Sequence, residues 1–459
     1  MTPELLDRYK HLFGYAAGTT GGLGGRTVNC ATGDEVQAAI NAKGEEPLII
    51  NLTGVISGAN TKAAQIDISG KRDITLMADG EGQDFSGVGI RINKASSNII
   101  LFNLKGGQIS EGGKDCIGIE GDCHHIVGLH LDLSGDMSKG KDYYDGLADT
   151  KRGSHSIAFV LCKFSNHHKA CLNGYSDKDS ENADRKLTFA LCWWDNCGSR
   201  CPSVRYGEAH VWGCVLSDIE TSGVNCRMGA QVLIEATTFD KVHNPICALD
   251  SKEPGFWNIV DCAALNCAWG KPSANEPLAV DMKPTCDFRP PYTMPAITRA
   301  QAAGLVQEAA GLLPPGKTVA LPGASDQPIP EQPQQPVEEQ PAPIEEPPAA
   351  EPDPVEQPGG PETPAEPEQP APVETEEPAE AEALLDQAED ALMNLRVILA
   401  KLAAEPEEPA APVSDPAGLL ALIDGATAAL ERLPETKPRK NALDYMRKGR
   451  DQAEKALRG

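Results

Sequence analysis

Three carboxylates carry the clearest chemical potential in this chain. Asp145 and Asp149 stand four residues apart in DYYDGLADTKRGS (142–154), and Asp115 stands one repeat earlier in GGKDCIGIEG. In an extended segment a spacing of four places both carboxylates on one face. With Asp115 they form a hard, all-oxygen donor set, the kind calcium accepts because it takes several such ligands in irregular geometry. Spacing alone leaves a second reading open, in which Asp142 and Asp145 are solvated turn residues. A cationic group follows: Lys169 in FSNHHKACLNGYSD, then Arg200 and Arg205 in WWDNCGSRCPSVRYGE. Pro202 lies between the two arginines and favours a loop that presents both guanidiniums. Guanidinium forks suit the carboxylates of an acidic sugar. Taken alone, these cations also read as ordinary surface charges.

Other polar motifs carry less. His124–His125 and His167–His168 are adjacent pairs, expected to point to opposite faces of a strand rather than to clip a metal. The glycine-rich GTTGGLGG looks like a phosphate loop, but RTVNC after it reads as a strand, which argues against nucleotide binding.

The elements that must position these groups are short β-type runs: NIILFNL (98–104), HIVGLHLDL (125–133), SIAFVLCKF (156–164), LTFALCWW (187–194), AHVWGCVL (209–216), QVLIEATTF (231–239) and FWNIVDCA (256–263). A small residue returns at the same phase in successive runs, as Cys162, Cys192, Cys214, Thr237 and Cys262. A strand-plus-turn unit recurring every 22–30 residues is the signature of a stacked parallel solenoid. An antiparallel sandwich has similar strand spacing but does not require the recurrent small residue. In a solenoid that residue becomes an interior ladder. Long flat sheets with side chains in register suit an extended polymer better than a small ligand.

Composition divides the 459 residues into three parts. The formal net charge is −26, but residues 321–459 hold 30 Asp and Glu against 11 Lys and Arg. Residues 1–320 carry 37 acids and 30 bases, a net of only −7, so this part can still offer a local basic patch to a polyanion. Nucleic acid is excluded as a partner by the acidic balance. Residues 321–378 are dominated by Pro, Glu, Gln and Ala, and read as an extended linker. Residues 379–459 regain helical periodicity, with Leu384, Leu385, Ala388, Leu392, Leu395 and Leu399 near one face, as in a small α-helical bundle or a stalk for homo-oligomerisation or particle attachment. All 14 cysteines fall between Cys30 and Cys286 with no C-x-x-C pair, so a zinc ribbon is not expected and buried thiols are. No run reaches membrane-spanning length. The first residues show no signal-peptide pattern, so extracellular action calls for a non-obvious secretion route or carriage on a virion.

At these residues the sequence resembles the pectate lyases of the first polysaccharide lyase family. The similarity covers about residues 14–312. GYAAGTTGGLGGRTVNCATGDEVQAAI resembles the family's opening segment, and YDGLADTKRGSHSIAFVLCKFSNHHKACLNGYSD its calcium and substrate block. WWDNCGSRCPSVRYGEAHVWGC resembles the segment with the catalytic arginine. GVNCRMGAQVLIEATTFDKVHNPI resembles a later coil, and PYTMPAITRAQAAGLVQEAAG the closing segment. The resemblance implies a right-handed parallel β-helix that cleaves polygalacturonate by calcium-assisted β-elimination to unsaturated oligogalacturonides. It implies Asp115, Asp145 and Asp149 as ligands of Ca2+, Lys169 and Arg205 as binders of uronate carboxylates, and Arg200 as the base that takes the proton from carbon 5. Two departures stand out. HIVGLHLDL replaces the family's V-W-I-D-H stretch, and Cys162, Cys192 and Cys214 replace asparagines common at the interior ladder.

Two further readings compete. A calcium-independent pectin lyase is disfavoured by retention of the three acids. A non-catalytic or weakly catalytic adhesin or virus-tail depolymerase that holds acidic polysaccharide fits the unusual tail, but has no need of Arg200.

Overall fold

The computed structural model describes residues 2–78, 83–178 and 184–323. The expected linker beyond residue 323 and the expected helical region 379–459 lie outside the described residues. Within them the strands form three sheets, of ten, eight and nine strands, and each sheet adds one strand per coil in chain order. Every strand pair is parallel, as between Ile117–Ile119 and Ala148–Thr150. This is the expected parallel β-helix, and the parallel pairing removes the sandwich alternative.

The ten-stranded sheet shows why its strands read as unbroken apolar runs. One set of in-register columns points into the lumen: Leu48, Ile74, Ile99, Ile126, Ile157 and Leu187 stack coil upon coil in the main core. Alternate residues point outward, yet Ile49, Ile100, Val127 and Ala158 are also buried, in a second core. Tyr9 and Phe13 near the N-terminus and Ala302 and Val306 from helix Arg299–Ala309 cover them. A sheet buried on both faces loses the apolar–polar alternation of a half-exposed strand. The N-terminal helix Pro3–Tyr9 starts at the Thr2 cap with Pro in its first turn, and helix Arg299–Ala309 starts with a Thr298–Gln301 capping box.

From Asn103 onwards, each coil leaves this sheet through one left-handed residue. Asn103, His130, Leu161, Leu191, Gly213, Ala236 and Asp261 all have φ between 49° and 65°. Their amides keep the ladder intact around the bend: His130 N donates to Val160 O at 3.0 Å and Leu161 N to Ala190 O at 2.9 Å. The next residue points inward, and there stand Leu104 and Leu131 after the first two corners, then Cys162, Cys192, Cys214, Thr237 and Cys262. The thiols of Cys192 and Cys214 donate to Phe159 O and Phe189 O of preceding coils at 3.2 and 3.4 Å. The amides of Cys192 and Cys214 donate to Cys214 Sγ and Thr237 Oγ1 of the following coils at 3.4 and 3.3 Å. Sulfur thus serves as both donor and acceptor in the interior ladder. All fourteen cysteines are free thiols, and burial pushes that of Cys192 well above its ordinary range.

His130 ties the helical cover to the sheet. Its Nδ1 lies 2.9 Å from Gly311 O and its Nε2 3.1 Å from the Tyr9 hydroxyl. A carbonyl only accepts, so Nδ1 carries the proton and Nε2 accepts from Tyr9. Burial holds this imidazole down to about 4, against 6.5 in an unfolded chain. Between these values the unfolded state binds a proton that the folded state refuses, so stability falls as pH falls from 6.5 towards 4. Replacing His130 by the non-titrating Gln is expected to remove about 1.4 kcal/mol per pH unit of that slope. Urea unfolding of both proteins across this interval measures it.

Candidate active site

The eight-stranded sheet brings the acids and cations together. Asp115 precedes strand Ile117–Ile119, and Asp149 is the central residue of strand Ala148–Thr150. Lys169 ends strand Lys163–Lys169, one coil further on. Arg200 occupies the bend between strands Trp193–Ser199 and Ser203–Arg205, and Arg205 ends the second. Four consecutive coils therefore deliver all six residues to one corner, where the nine-stranded sheet gives way to the eight-stranded sheet. Two local expectations are corrected. Asp145 lies in the turn before its strand, so strand alternation does not pair it with Asp149. Arg205 is a strand residue, not a loop residue.

Asp149 is almost wholly buried, and its Oδ1 accepts from Leu172 N at 2.9 Å. Asp115 Oδ2 accepts from the Lys151 ammonium at 2.8 Å, and Asp149 Oδ2 is 3.7 Å from the same nitrogen. Asp115 Oδ1 and Asp149 Oδ2 are buried and have no hydrogen-bond partner. Orphaned carboxylate oxygens of this kind are what a hard cation satisfies. Two glycines make room for them. A Cβ at Gly146 would lie 2.5 Å from Asp149 Oδ1, and one at Gly118, which pairs with Asp149 across the sheet, 3.2 Å from Asp115 Oδ2. Burial, then the Asp149 charge, pushes the Asp115 carboxyl up to about 8. Burial also raises Asp149, against the pull of Lys151. Asp115 and Asp149 thus offer oxygens of the kind a divalent cation takes, and among the described residues no three acidic, His or Cys side chains already converge as ligands.

Asp145 takes a different partner. Its Oδ1 is 2.9 Å from the Lys169 ammonium, which also donates to Asp142 Oδ1 at 3.0 Å. Burial works to raise the Asp145 carboxyl, but Lys169, Lys151 and Arg200 override it and hold it down to about 2. Asp142 and Asp145 are therefore not merely solvated turn residues. Arg200 acts electrostatically on Asp145, Asp149, Lys169 and Arg227.

Arg205 is buried and held from below. Its Nε donates to Asp177 Oδ1 at 2.7 Å and its Nη1 to Gly174 O at 2.9 Å. Asp177 also accepts from Ser251 Oγ at 2.7 Å and from Lys252 N at 2.8 Å. Arg185, fully buried, ties the strands together: its Nη1 donates to Thr150 O and its Nε to Arg205 O. Arg227 pairs with Arg205 across the sheet, and burial, then Arg205, lowers its guanidinium to about 9. Sequence reasoning missed Lys151, Asp177, Arg185 and Arg227. Lys151 alone had a local signal, two residues after Asp149; the others are assembled by coil stacking.

The histidine pairs take no part in this corner as metal clips. His167 is buried and its Nδ1 accepts from Lys169 N at 3.0 Å, while His168 Nε2 reaches Lys139 O at 3.0 Å. At 124–125 the expectation of opposite faces fails. His125 is left-handed, with φ 53°, and this brings the two Nδ1 atoms within 2.8 Å.

The family model described as pectate lyase matches residues 11–312. A pectate trisaccharide-lyase of Bacillus licheniformis is 36% identical over 305 residues, 66% of this chain and 86% of that protein. The structure of pectate lyase II from Xanthomonas campestris covers 65% of this chain and 97% of its own, with 29% identity and a TM-score of 0.60. A pectate lyase of Bacillus sp. N165, solved in complex with trigalacturonate, matches at 29% identity over 65% of this chain and 98% of its own, with a TM-score of 0.59.

Removing the support of Arg205 should leave a buried guanidinium short of a counter-ion. Asp177→Ala is expected to cost about 3 kcal/mol, read by urea unfolding at neutral pH. A loss near zero would show that Gly174 O and solvent suffice for Arg205.

Proposed function

Since the chain belongs to the pectate lyase family, we propose that it cleaves α-1,4-linked polygalacturonate by calcium-assisted β-elimination, releasing unsaturated oligogalacturonides. It is a polysaccharide lyase, and the finer assignment rests on one observation above all. Three carboxylates and three cations meet at one corner of four successive coils, with two buried carboxylate oxygens lacking hydrogen-bond partners. Asp115, Asp145 and Asp149 would hold Ca2+. When bound, the ion supplies Lewis acidity that stabilises charge developing on a uronate carboxylate.

The chain's own residues do the rest. Lys169 has three donors, two of them directed at Asp142 and Asp145, and the third serves a sugar carboxylate. Arg205 keeps Nη2 for the same purpose, because Nε and Nη1 are taken by Asp177 and Gly174. Both side chains are buried, so they meet the polymer in a fixed position, which lowers the entropic part of the barrier. Arg200 takes the proton from carbon 5, the bond from carbon 4 to the glycosidic oxygen breaks to leave a carbon 4–carbon 5 double bond, and the departing oxygen keeps the electron pair and takes a proton from solvent, so that no water is consumed. A guanidinium is ordinarily protonated. Lys169 and Arg227 stand on the coils on either side of Arg200, Asp145 and Asp149 act on it with the opposite sign, and a bound divalent cation would offset those two carboxylates. Such a polymer is met outside the cell, so extracellular action belongs to this reading. Residues 1–320 carry the activity, and polygalacturonate or pectin is the partner.

Ultraviolet absorbance of the unsaturated product tests the reaction. Incubation with polygalacturonate and calcium should give a rise that stops with excess chelator, and Arg200→Lys should keep polymer binding and lose the rise. Polymer that is bound with no rise under either condition would return the protein to the adhesin reading. A chain ending at residue 320 should keep its rate in the same assay, and loss of that rate would refute the assignment of activity to residues 1–320.

A further inference from the structure

Lys151 stands where a bound cation would be felt most. Its ammonium lies 2.8 Å from Asp115 Oδ2 and 3.7 Å from Asp149 Oδ2. It therefore bridges two carboxylates from neighbouring coils, both among the proposed calcium ligands. Its side chain is about one-fifth exposed, and those of Asp115 and Asp149 are 10% and 1% exposed. Charges so far from water attract or repel strongly. A carboxylate pair in such a place is held by a shared proton or by a neutralising cation. The chain supplies one from its own sequence, two residues after Asp149.

We propose that Lys151 is an internal counter-cation that competes with calcium for the Asp115–Asp149 pair and so sets the calcium affinity of the site. The inference rests on the calcium reading given above. A single ammonium cannot match the ligand demand of a calcium ion, which takes six to eight oxygens. It satisfies one carboxylate oxygen of Asp115 and leaves Asp115 Oδ1 and Asp149 Oδ2 without hydrogen-bond partners. Those two oxygens remain open to the ion. As calcium engages them, the ammonium is repelled and swings towards solvent, which the Lys151 side chain already reaches in part. The cost of moving it is subtracted from the binding free energy. Lys151 thus keeps the empty pair folded and makes occupancy respond to the surrounding calcium concentration instead of saturating at trace levels.

Isothermal calorimetry with calcium chloride alone, on the full chain without polymer, reads the affinity directly. Lys151→Met, which keeps the length and removes the charge, should bind calcium at least tenfold more tightly. Its thermal midpoint in chelator should fall below that of the wild type, and calcium should restore it. Lys151→Arg should bind close to the wild type. Unchanged or weaker binding by Lys151→Met overturns the proposal while leaving the calcium site intact. A wild-type protein with no calcium isotherm, or one that Asp149→Asn does not alter, overturns the calcium reading itself and this inference with it. A second measurement needs no variant. Acetylation of wild-type lysines, read by mass spectrometry, should label Lys151 faster with calcium than with chelator, and equal or slower labelling contradicts the displacement.

Discussion

Everything in this molecule depends on coils lying in register. A single coil cannot bury its own edges: each strand offers a row of amides and carbonyls that only the next coil can satisfy. The hydrogen-bond ladder runs along the strands and continues through the left-handed corners at His130, Leu161 and Leu191. Register then decides which side chains meet. Leucine and isoleucine columns fill the lumen, and the Phe159 and Phe189 rings stack 5.5 Å apart. The thiols of Cys162, Cys192 and Cys214 line up beside them. A shift of one residue in one coil would exchange its inward and outward side chains and put them out of line with the columns of both neighbouring coils.

The same constraint builds the charged corner. Asp115, Asp149, Lys169 and Arg205 are distant in sequence and neighbours in space because successive coils carry them to one corner, Asp149 and Arg205 within strands of the eight-stranded sheet, Asp115 just before such a strand and Lys169 at the end of a strand of the nine-stranded sheet. Their burial is what makes them costly, and the molecule offsets that cost by pairing. Lys151 answers Asp115, Asp145 answers Lys169, and Asp177 answers Arg205. Pairing also leaves remainders: two carboxylate oxygens on one side, and on the other an ammonium and a guanidinium with donors in hand. In the proposed reading those remainders serve an acidic sugar and a divalent cation together, which neither cluster does alone.

The sequence made the solenoid legible through one feature, the return of Cys162, Cys192, Cys214 and Thr237 at constant phase, because the inward position after these four corners holds a small side chain that hydrogen-bonds the backbone around it. Asp145 and Asp149 were legible as a pair, though for a reason the fold does not use: a turn, not strand alternation, sets Asp145. Asp177 and Arg185 were not legible. Their partners, Arg205 and Thr150, lie 28 and 35 residues away, and nothing local marks an arginine as a fully buried tie between strands. The kink at His125 was equally hidden, since a left-handed residue in a strand depends on its neighbours across the sheet.

One property of the eight-stranded sheet has a metric side. Gly118 pairs with Asp149, Thr150 with Asn173, Asn173 with Val204, and Arg205 with Arg227. Adjacent parallel strands are held about 4.8 Å apart by peptide hydrogen bonds. The corner is therefore a graduated ruler, and each functional group occupies one of its marks. A charge can be moved along the groove only by whole divisions, from one coil to the next, and such a move leaves the backbone untouched. Divergence among proteins of this architecture can then proceed by reassigning marks on a fixed scale, so that a change of sugar or of cut position is a change of lettering with no change in the instrument.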